Sequence, residues 1–173
     1  MKSLEDLEKK INSELTTKIN NTEIKHNQIY IETDKEDIID VVIFLKTNQD
    51  TKFRQLIDIT VVDYPEQNQR FEVVYLFLSH EFNQRLIVKY SIAENEVIPS
   101  LTSIFPSANW MEREVFDMYG VSFKDHPENS NRFELVYLFL SHEFNQRLIV
   151  KYSIAENEVI SSLTSIFPSA NWM

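Results

Sequence analysis

Four charged residues lie together around position 115, and their types and spacing come nearest to acid–base chemistry. Glu112, Glu114 and Asp117 surround Arg113 in the printed sequence. Paired carboxylates can serve as general acid and general base. A simpler interpretation is that Glu112 caps a helix while Arg113 and Asp117, four residues apart, form an exposed ion pair worth about 0.3–0.5 kcal/mol. We favour this structural interpretation.

Other chemistry is sparse. His26, His80, His126 and His142 are scattered and lack the spacing of a helical metal pair. His80 and the neighbouring Glu81 fall in a polar loop, where solvated side chains are expected. The chain has no cysteine, so it cannot hold a disulfide, a cysteine-ligated zinc ion or an iron–sulfur cluster. Its single glycine excludes the glycine-rich loops that bind nicotinamide, flavin or nucleotide phosphates. We therefore expect no catalytic constellation and no cofactor in this chain.

The charge balance excludes further classes. Seventeen Lys and Arg against 27 Asp and Glu give a net charge of −10. A nucleic-acid-binding protein needs a basic surface, and an anionic membrane would repel this chain. No apolar run is long enough for a membrane-spanning helix, and the acidic N-terminus resembles no targeting segment. Any membrane contact is therefore expected to be indirect, through partner proteins.

Hydrophobic periodicity predicts an α+β fold, with a mixed or antiparallel sheet that contains a three-strand meander and with helices mainly on one face. The predicted strands are 29–33, 56–62, 71–78 and 85–91, of which the last three form the meander. The predicted helices are one capped by Ser3, one opened by a capping box of Thr33 and Glu36, one from Val97 to Phe105, and one opened by Asn109 and Glu112. With so little glycine, turns must rely on Asn, Asp and Pro.

The last of these helices is the most informative segment. Met111, Val115 and Met118 share one face of the predicted helix, and Gly120 is placed for the left-handed conformation that ends a helix. Trp110 and Phe116 are equally compatible with covering the sheet and with forming a protein-binding surface.

A long internal repeat marks the second half of the chain. Residues 70–111 recur at 132–173 with two differences in 42 positions, Val73 to Leu135 and Pro99 to Ser161. Two nearly identical copies indicate a duplication rather than a solenoid. We predict a main domain over 1–129 and a partial duplicate over 130–173, which holds one hairpin and one helix. We also hypothesise that the duplicate lowers stability and promotes self-association.

Several motifs resemble the thirty-kilodalton subunit family of respiratory complex I, a NADH:quinone oxidoreductase. The segment from Glu112 through Arg113, Glu114 and Asp117 to Gly120, followed by His126 and Pro127, is similar to the family signature. Segments 58–65, 70–75 and 104–110 are also similar to the family and occur in its order. The family's tail after Pro127 is replaced here by the repeat.

The resemblance implies a non-catalytic structural or assembly subunit of the peripheral arm, beside the forty-nine-kilodalton-type subunit. FMN and iron–sulfur clusters would then belong to partner subunits. Localisation would be peripheral, on the cytoplasmic face of a bacterial inner membrane or, alternatively, the matrix face of the mitochondrial inner membrane. Two alternatives stay open: a truncated gene product that acts only as an interaction module, and the equivalent subunit of a related membrane-bound hydrogenase.

Overall fold

The computed structural model describes residues 3–127, 132–141 and 146–155. These residues form two compact units that divide between Pro127 and Glu128. The helices are α1 (Leu4–Glu14), α2 (Ile38–Thr47) and α3 (Ala108–Tyr119). The strands are β1 (Ile19–Lys25), β2 (Gln28–Thr33), β3 (Gln55–Asp63), β4 (Phe71–Ser79), β5 (Gln84–Ile92), β6 (Val97–Pro99), β7 (Ser122–Lys124), β8 (Arg132–Ser141) and β9 (Gln146–Ala155).

The first unit is built on a five-stranded sheet in the order β1-β2-β5-β4-β3. β2 and β5 are parallel, and the other neighbours are antiparallel. The predicted meander of β3, β4 and β5 is confirmed. Burial alternates along β4 in strict period two, since one face is buried and the other is half-buried. The α+β fold with a mixed sheet is therefore confirmed.

Helices α1 and α2 form as the sequence indicates. The Ser3 hydroxyl accepts a hydrogen bond from the Asp6 amide at 3.2 Å, which confirms Ser3 as the N-cap of α1. Leu7 and Ile11 of α1 are buried in the same core as the inner face of the sheet. The predicted apolar face of α2 is fully buried as well, and it comprises Ile38, Val41, Val42 and Leu45.

One prediction near α2 is wrong, and one strand was not predicted. Thr33 ends β2, and its hydroxyl donates to the Lys18 carbonyl at 2.6 Å, so it forms no capping box with Glu36. Asp37 occupies the N-cap position without a side-chain hydrogen bond. Strand β1 was not predicted, because a polar strand at the sheet edge needs no apolar alternation.

The helix predicted from Val97 to Phe105 is also wrong. Val97–Pro99 instead forms the short strand β6, parallel to β7. The residue before a proline is disfavoured in the helical region, which favours the extended conformation of Ile98 in β6. Leu101 and Phe105 are nevertheless buried, in a single turn closed by the Phe105 amide and the Leu101 carbonyl at 2.8 Å.

Turns in the described part of the chain use the residues expected of a glycine-poor sequence. Asn27, Asn83, Asn95 and Asp125 all have positive φ between 50° and 66°. These side chains tolerate the left-handed region better than most others do. His26 and Asn27, with φ of 51° and 60°, form the two-residue connection between β1 and β2.

The second unit contains the antiparallel hairpin β8–β9. Its register repeats that of β4–β5, since Tyr137 is paired with Val150 as Tyr75 is with Val88. This antiparallel pairing is the one expected for the hairpin of the second copy. The helix predicted after it lies outside the described residues.

Candidate functional site

Helix α3 carries most of the residues singled out by the sequence, and its ends are well defined. It begins after Ser107, which makes no side-chain cap, and it ends at Gly120. Gly120 has φ of 74° and ψ of 12°, and its amide donates to the Phe116 carbonyl at 2.8 Å. An added Cβ would meet no atom within 4 Å, so glycine is needed here for backbone conformation rather than for space. The prediction for Gly120 is confirmed.

Glu112 does not lie on an exposed charged face, and it is fully buried. Its Oε1 atom accepts a hydrogen bond from the Leu101 amide at 2.6 Å. The predicted capping box with Asn109 is wrong, because the carboxylate reaches a loop eleven residues earlier instead of its own helix end. Glu112 therefore ties α3 to the turn that follows β6.

His126 joins this buried group from the segment after β7. Its Nε2 atom lies 3.1 Å from the Asn109 carbonyl oxygen and 4.0 Å from Glu112 Oε2. The adjacent Pro127 is exposed. Within the described part of the chain, Glu112 Oε2 and Asn109 Oδ1 are buried and have no hydrogen-bond partner. The fold thus brings together Glu112 and His126, which stand apart in the sequence of the family signature.

Burial raises the pKa of Glu112, because the charged carboxylate is removed from water. The nearby Ser100 hydroxyl, the Leu101 amide and His126 act in the opposite direction and do not overcome burial. The site therefore favours the protonated carboxyl more than water does.

Two buried tyrosines belong to the same electrostatic environment. The hydroxyl oxygens of Tyr75 and Tyr90 lie 2.9 Å apart, and their rings stack with centroids 5.8 Å apart. Burial raises the pKa of both hydroxyls, and Glu112 adds to the increase. This pair was not predicted from the sequence. Its signal was the position of both tyrosines on the inward face of alternating strands, where each hydroxyl needs a partner.

The opposite side of α3 is exposed and rich in large apolar groups. Trp110 is 67% exposed, Phe116 42% and Met118 70%. The Arg113 guanidinium carbon lies 5.1 Å from the centre of the Trp110 ring. The interpretation of Trp110 and Phe116 as core residues is wrong. Glu114 and Asp117 are exposed beside them.

The arrangement can hold a helix in place and present a recognition surface. No group of three or more His, Asp or Glu side chains in the described ranges is placed to hold a metal ion. No described helix is long and apolar enough to cross a membrane. In the loop between β4 and β5, Glu81 forms an ion pair with Lys52, and His80 contacts Gln55.

The chain is similar to several known proteins. The family model described as the respiratory-chain NADH dehydrogenase 30 kDa subunit matches residues 31–131 and, a second time, residues 128–173. The C subunit of the NADH-quinone oxidoreductase of Dinoroseobacter shibae is 50% identical over 107 residues, which cover 62% of this chain and 50% of the relative. Its counterpart in Rhodospirillum rubrum is 41% identical over 128 residues, or 74% and 60% of the two chains. The chain thus spans half to three-fifths of the length of these curated relatives.

Solved structures share the fold. The trypsin-resistant fragment (1–134) of Nqo5 superposes with a TM-score of 0.61 and 24% identity, covering 73% of this chain and 99% of that one. A chain of an archaeal respiratory membrane complex, the membrane-bound sulfane sulfur reductase, gives a TM-score of 0.64 and 23% identity over 72% of each chain. Because the family model covers more than half of the sequence and includes α3 with its Glu112 anchor, the chain belongs to the family of the 30 kDa subunit of respiratory-chain NADH dehydrogenase.

Proposed function

We propose that this chain is a supporting subunit of an NADH–quinone oxidoreductase, in which the exposed side of α3 docks on another subunit. The names of the relatives at 41–50% identity support the complex, and the exposed aromatic helix supports a docking role. In this proposal the chain contributes no redox group, and FMN and iron–sulfur clusters belong to its partners. The forty-nine-kilodalton-type subunit is the proposed neighbour. The proposed location is peripheral, on the cytoplasmic face of a bacterial inner membrane or the matrix face of a mitochondrial one.

We call Trp110, Arg113, Phe116 and Met118 the docking face. Trp, Arg, Phe and Met are enriched in protein interfaces, and Trp and Arg are frequent hot spots. Trp110, Phe116 and Met118 are exposed on one helix. Their apolar surface is removed from water when a partner covers it, and this removal favours binding. This exposure is the observation that carries the docking role.

The buried side of the helix supports the same role. Glu112 fixes α3 to the turn at Leu101, and Val115 packs in the core. A helix held in this way presents its outer side chains in a fixed arrangement, so binding need not order the helix first. The docking face is therefore preorganised.

The test is assembly in Rhodobacter capsulatus, whose C subunit of this oxidoreductase is 39% identical over 125 residues. The tagged chain is expressed in a strain from which that subunit has been deleted, and membranes are assayed for co-purified subunits and NADH–quinone reductase activity. We expect the chain to co-purify with NADH–quinone oxidoreductase subunits, including the forty-nine-kilodalton-type one. Recovery without any of these subunits would overturn the proposed function and would favour an orphaned gene product.

Variants then test the docking face. Trp110→Ala and Phe116→Ala should reduce co-purification by about 30-fold or more if either residue is a hot spot of ~2 kcal/mol. Ile43→Ala is the matched control, because Ile43 is also 42% exposed but lies on α2. Equal assembly of all three variants would contradict the docking face while leaving family membership untouched.

A further inference from the structure

The repeat provides two hairpins of nearly the same sequence, and the interior of the five-stranded sheet holds one of them. Hairpin β4–β5 lies between β2 and β3, with β5 parallel to β2 and β4 antiparallel to β3. We call this position the central slot. Only residues 128–131 separate Pro127 from β8, so the second hairpin is not preceded by a β2 and a β3 of its own.

The central slot buries one entire face of the hairpin that occupies it. Eight apolar residues of β4–β5 share this face, and each is at most 6% exposed: Phe71, Val73, Tyr75, Phe77, Leu86, Val88, Tyr90 and Ile92. The corresponding positions of β8–β9 hold the same residues except for Leu135 in place of Val73. The backbone register is the same in both hairpins.

Exchange of the two hairpins does not change how many of them lie outside the central slot. Whichever copy occupies the central slot, in its own chain or in another, one hairpin per chain remains outside it. A hairpin of two strands is marginal in water unless its apolar face is covered. The apolar face of the hairpin outside the central slot must therefore be covered by another surface.

We propose that a second copy of this chain is that occupant, so that the hairpins outside the central slot pack face to face in a homodimer. The same patch of both subunits meets in a two-fold interface, so the apolar faces of two such hairpins can cover each other. Four aromatic residues that bury roughly 150–250 Å² each give about 600–1,000 Å² per hairpin. This area matches the ~800 Å² per partner of a standard interface. The proposal goes beyond the proposed function and does not depend on it.

Sedimentation of the full chain provides the test, with a matched pair of variants. Val150→Lys places a charge at the position that corresponds to buried Val88. Ile149→Lys makes the same change one residue earlier, where the counterpart Ile87 belongs to the half-buried side of the sheet. We expect a dimer for the parent chain, the same dimer for Ile149→Lys, and a monomer for Val150→Lys. A monomeric parent at submillimolar concentration, or equal dissociation of both variants, would overturn the proposal.

Spin labels identify the surface independently of these variants. Because the chain has no cysteine, a single introduced cysteine carries the only label. Labels at Ser153→Cys should show dipolar coupling between chains, whereas labels at its counterpart Ser91→Cys in β5 should show much weaker coupling. Stronger coupling at Ser91, or loss of the dimer in Trp110→Ala, would assign association to another surface and overturn the proposal.

Discussion

Replacing Glu112 separates its hydrogen-bonding role from its charge. In Glu112→Ala the buried Leu101 amide loses its acceptor, a loss of about 1–3 kcal/mol for an unsatisfied buried donor. Removal of one buried methylene group adds roughly 0.8 kcal/mol. Relief of the buried carboxylate offsets part of this sum, so we expect a net loss of about 2–3 kcal/mol in the free energy of unfolding.

Glu112→Gln is the matched control for this perturbation. Its amide oxygen can still accept from the Leu101 amide, and the neutral amide keeps the shape of the carboxyl group without its charge. We expect this variant to lie within about 1 kcal/mol of the parent chain. Urea unfolding followed by circular dichroism measures the free energies, and hydrogen exchange at the Leu101 amide reports the contact itself. Equal destabilisation by Ala and Gln, or an alanine variant within ~0.5 kcal/mol of the parent, would refute the anchoring role.

The free energies of unfolding of the parent chain and of Glu112→Gln should depend differently on pH. Because burial raises the pKa of Glu112 above its ordinary value of 4.5, the folded state binds this proton more tightly than the unfolded state. The stabilisation from protonation is complete below pH 4.5 and is lost as the pH rises through the raised pKa. The parent's unfolding free energy should therefore fall relative to that of Glu112→Gln across this window. A pH-independent difference would contradict this assignment of the proton.

Further substitutions test three other features. Tyr75→Phe leaves the buried Tyr90 hydroxyl without its partner and should lower the free energy of unfolding in urea by about 1–3 kcal/mol. The double variant Tyr75→Phe with Tyr90→Phe should recover most of this loss. Additive losses in the double variant would show that the hydroxyls do not interact. Gly120→Ala should cost about 1–2 kcal/mol at φ of 74°, and Gly120→Asn less, since Asn tolerates this region; equal midpoints would contradict the conformational role. Asn27→Gly should raise the thermal midpoint by the equivalent of about 1 kcal/mol, because glycine suits a positive φ of 60° in a two-residue hairpin; a lowered midpoint would contradict it.

The central hairpin could be predicted because its information is local. Strands β4 and β5 are rich in β-branched and aromatic residues, and the short connection between them favours antiparallel pairing. The prediction of a helix from Val97 to Phe105 was wrong because two local signals disagree there. Val97, Leu101, Ile104 and Phe105 recur at helical spacing, yet Pro99 disfavours the helical conformation of Ile98 before it.

The buried site could be predicted only in part, because its contacts are long-range. The spacing of Asn109 and Glu112 is that of a capping box, and no local feature shows that the carboxylate reaches Leu101 instead. His126 approaches Glu112 only after β7 pairs with β6, a parallel contact between strands more than twenty residues apart. Tertiary pairing, rather than sequence spacing, assembles this group.

The signature segment therefore combines two different surfaces in one short stretch. Glu112 and Val115 face the core, while Trp110 and Arg113 face outward. A change on the inner side acts first on the free energy of unfolding, and it disturbs docking only because the helix is no longer held. A change on the outer side should alter docking with little effect on stability, since surface substitutions usually stay within about 0.5 kcal/mol. Comparing stability with co-purification for each variant thus assigns every residue of the segment to anchoring or to recognition.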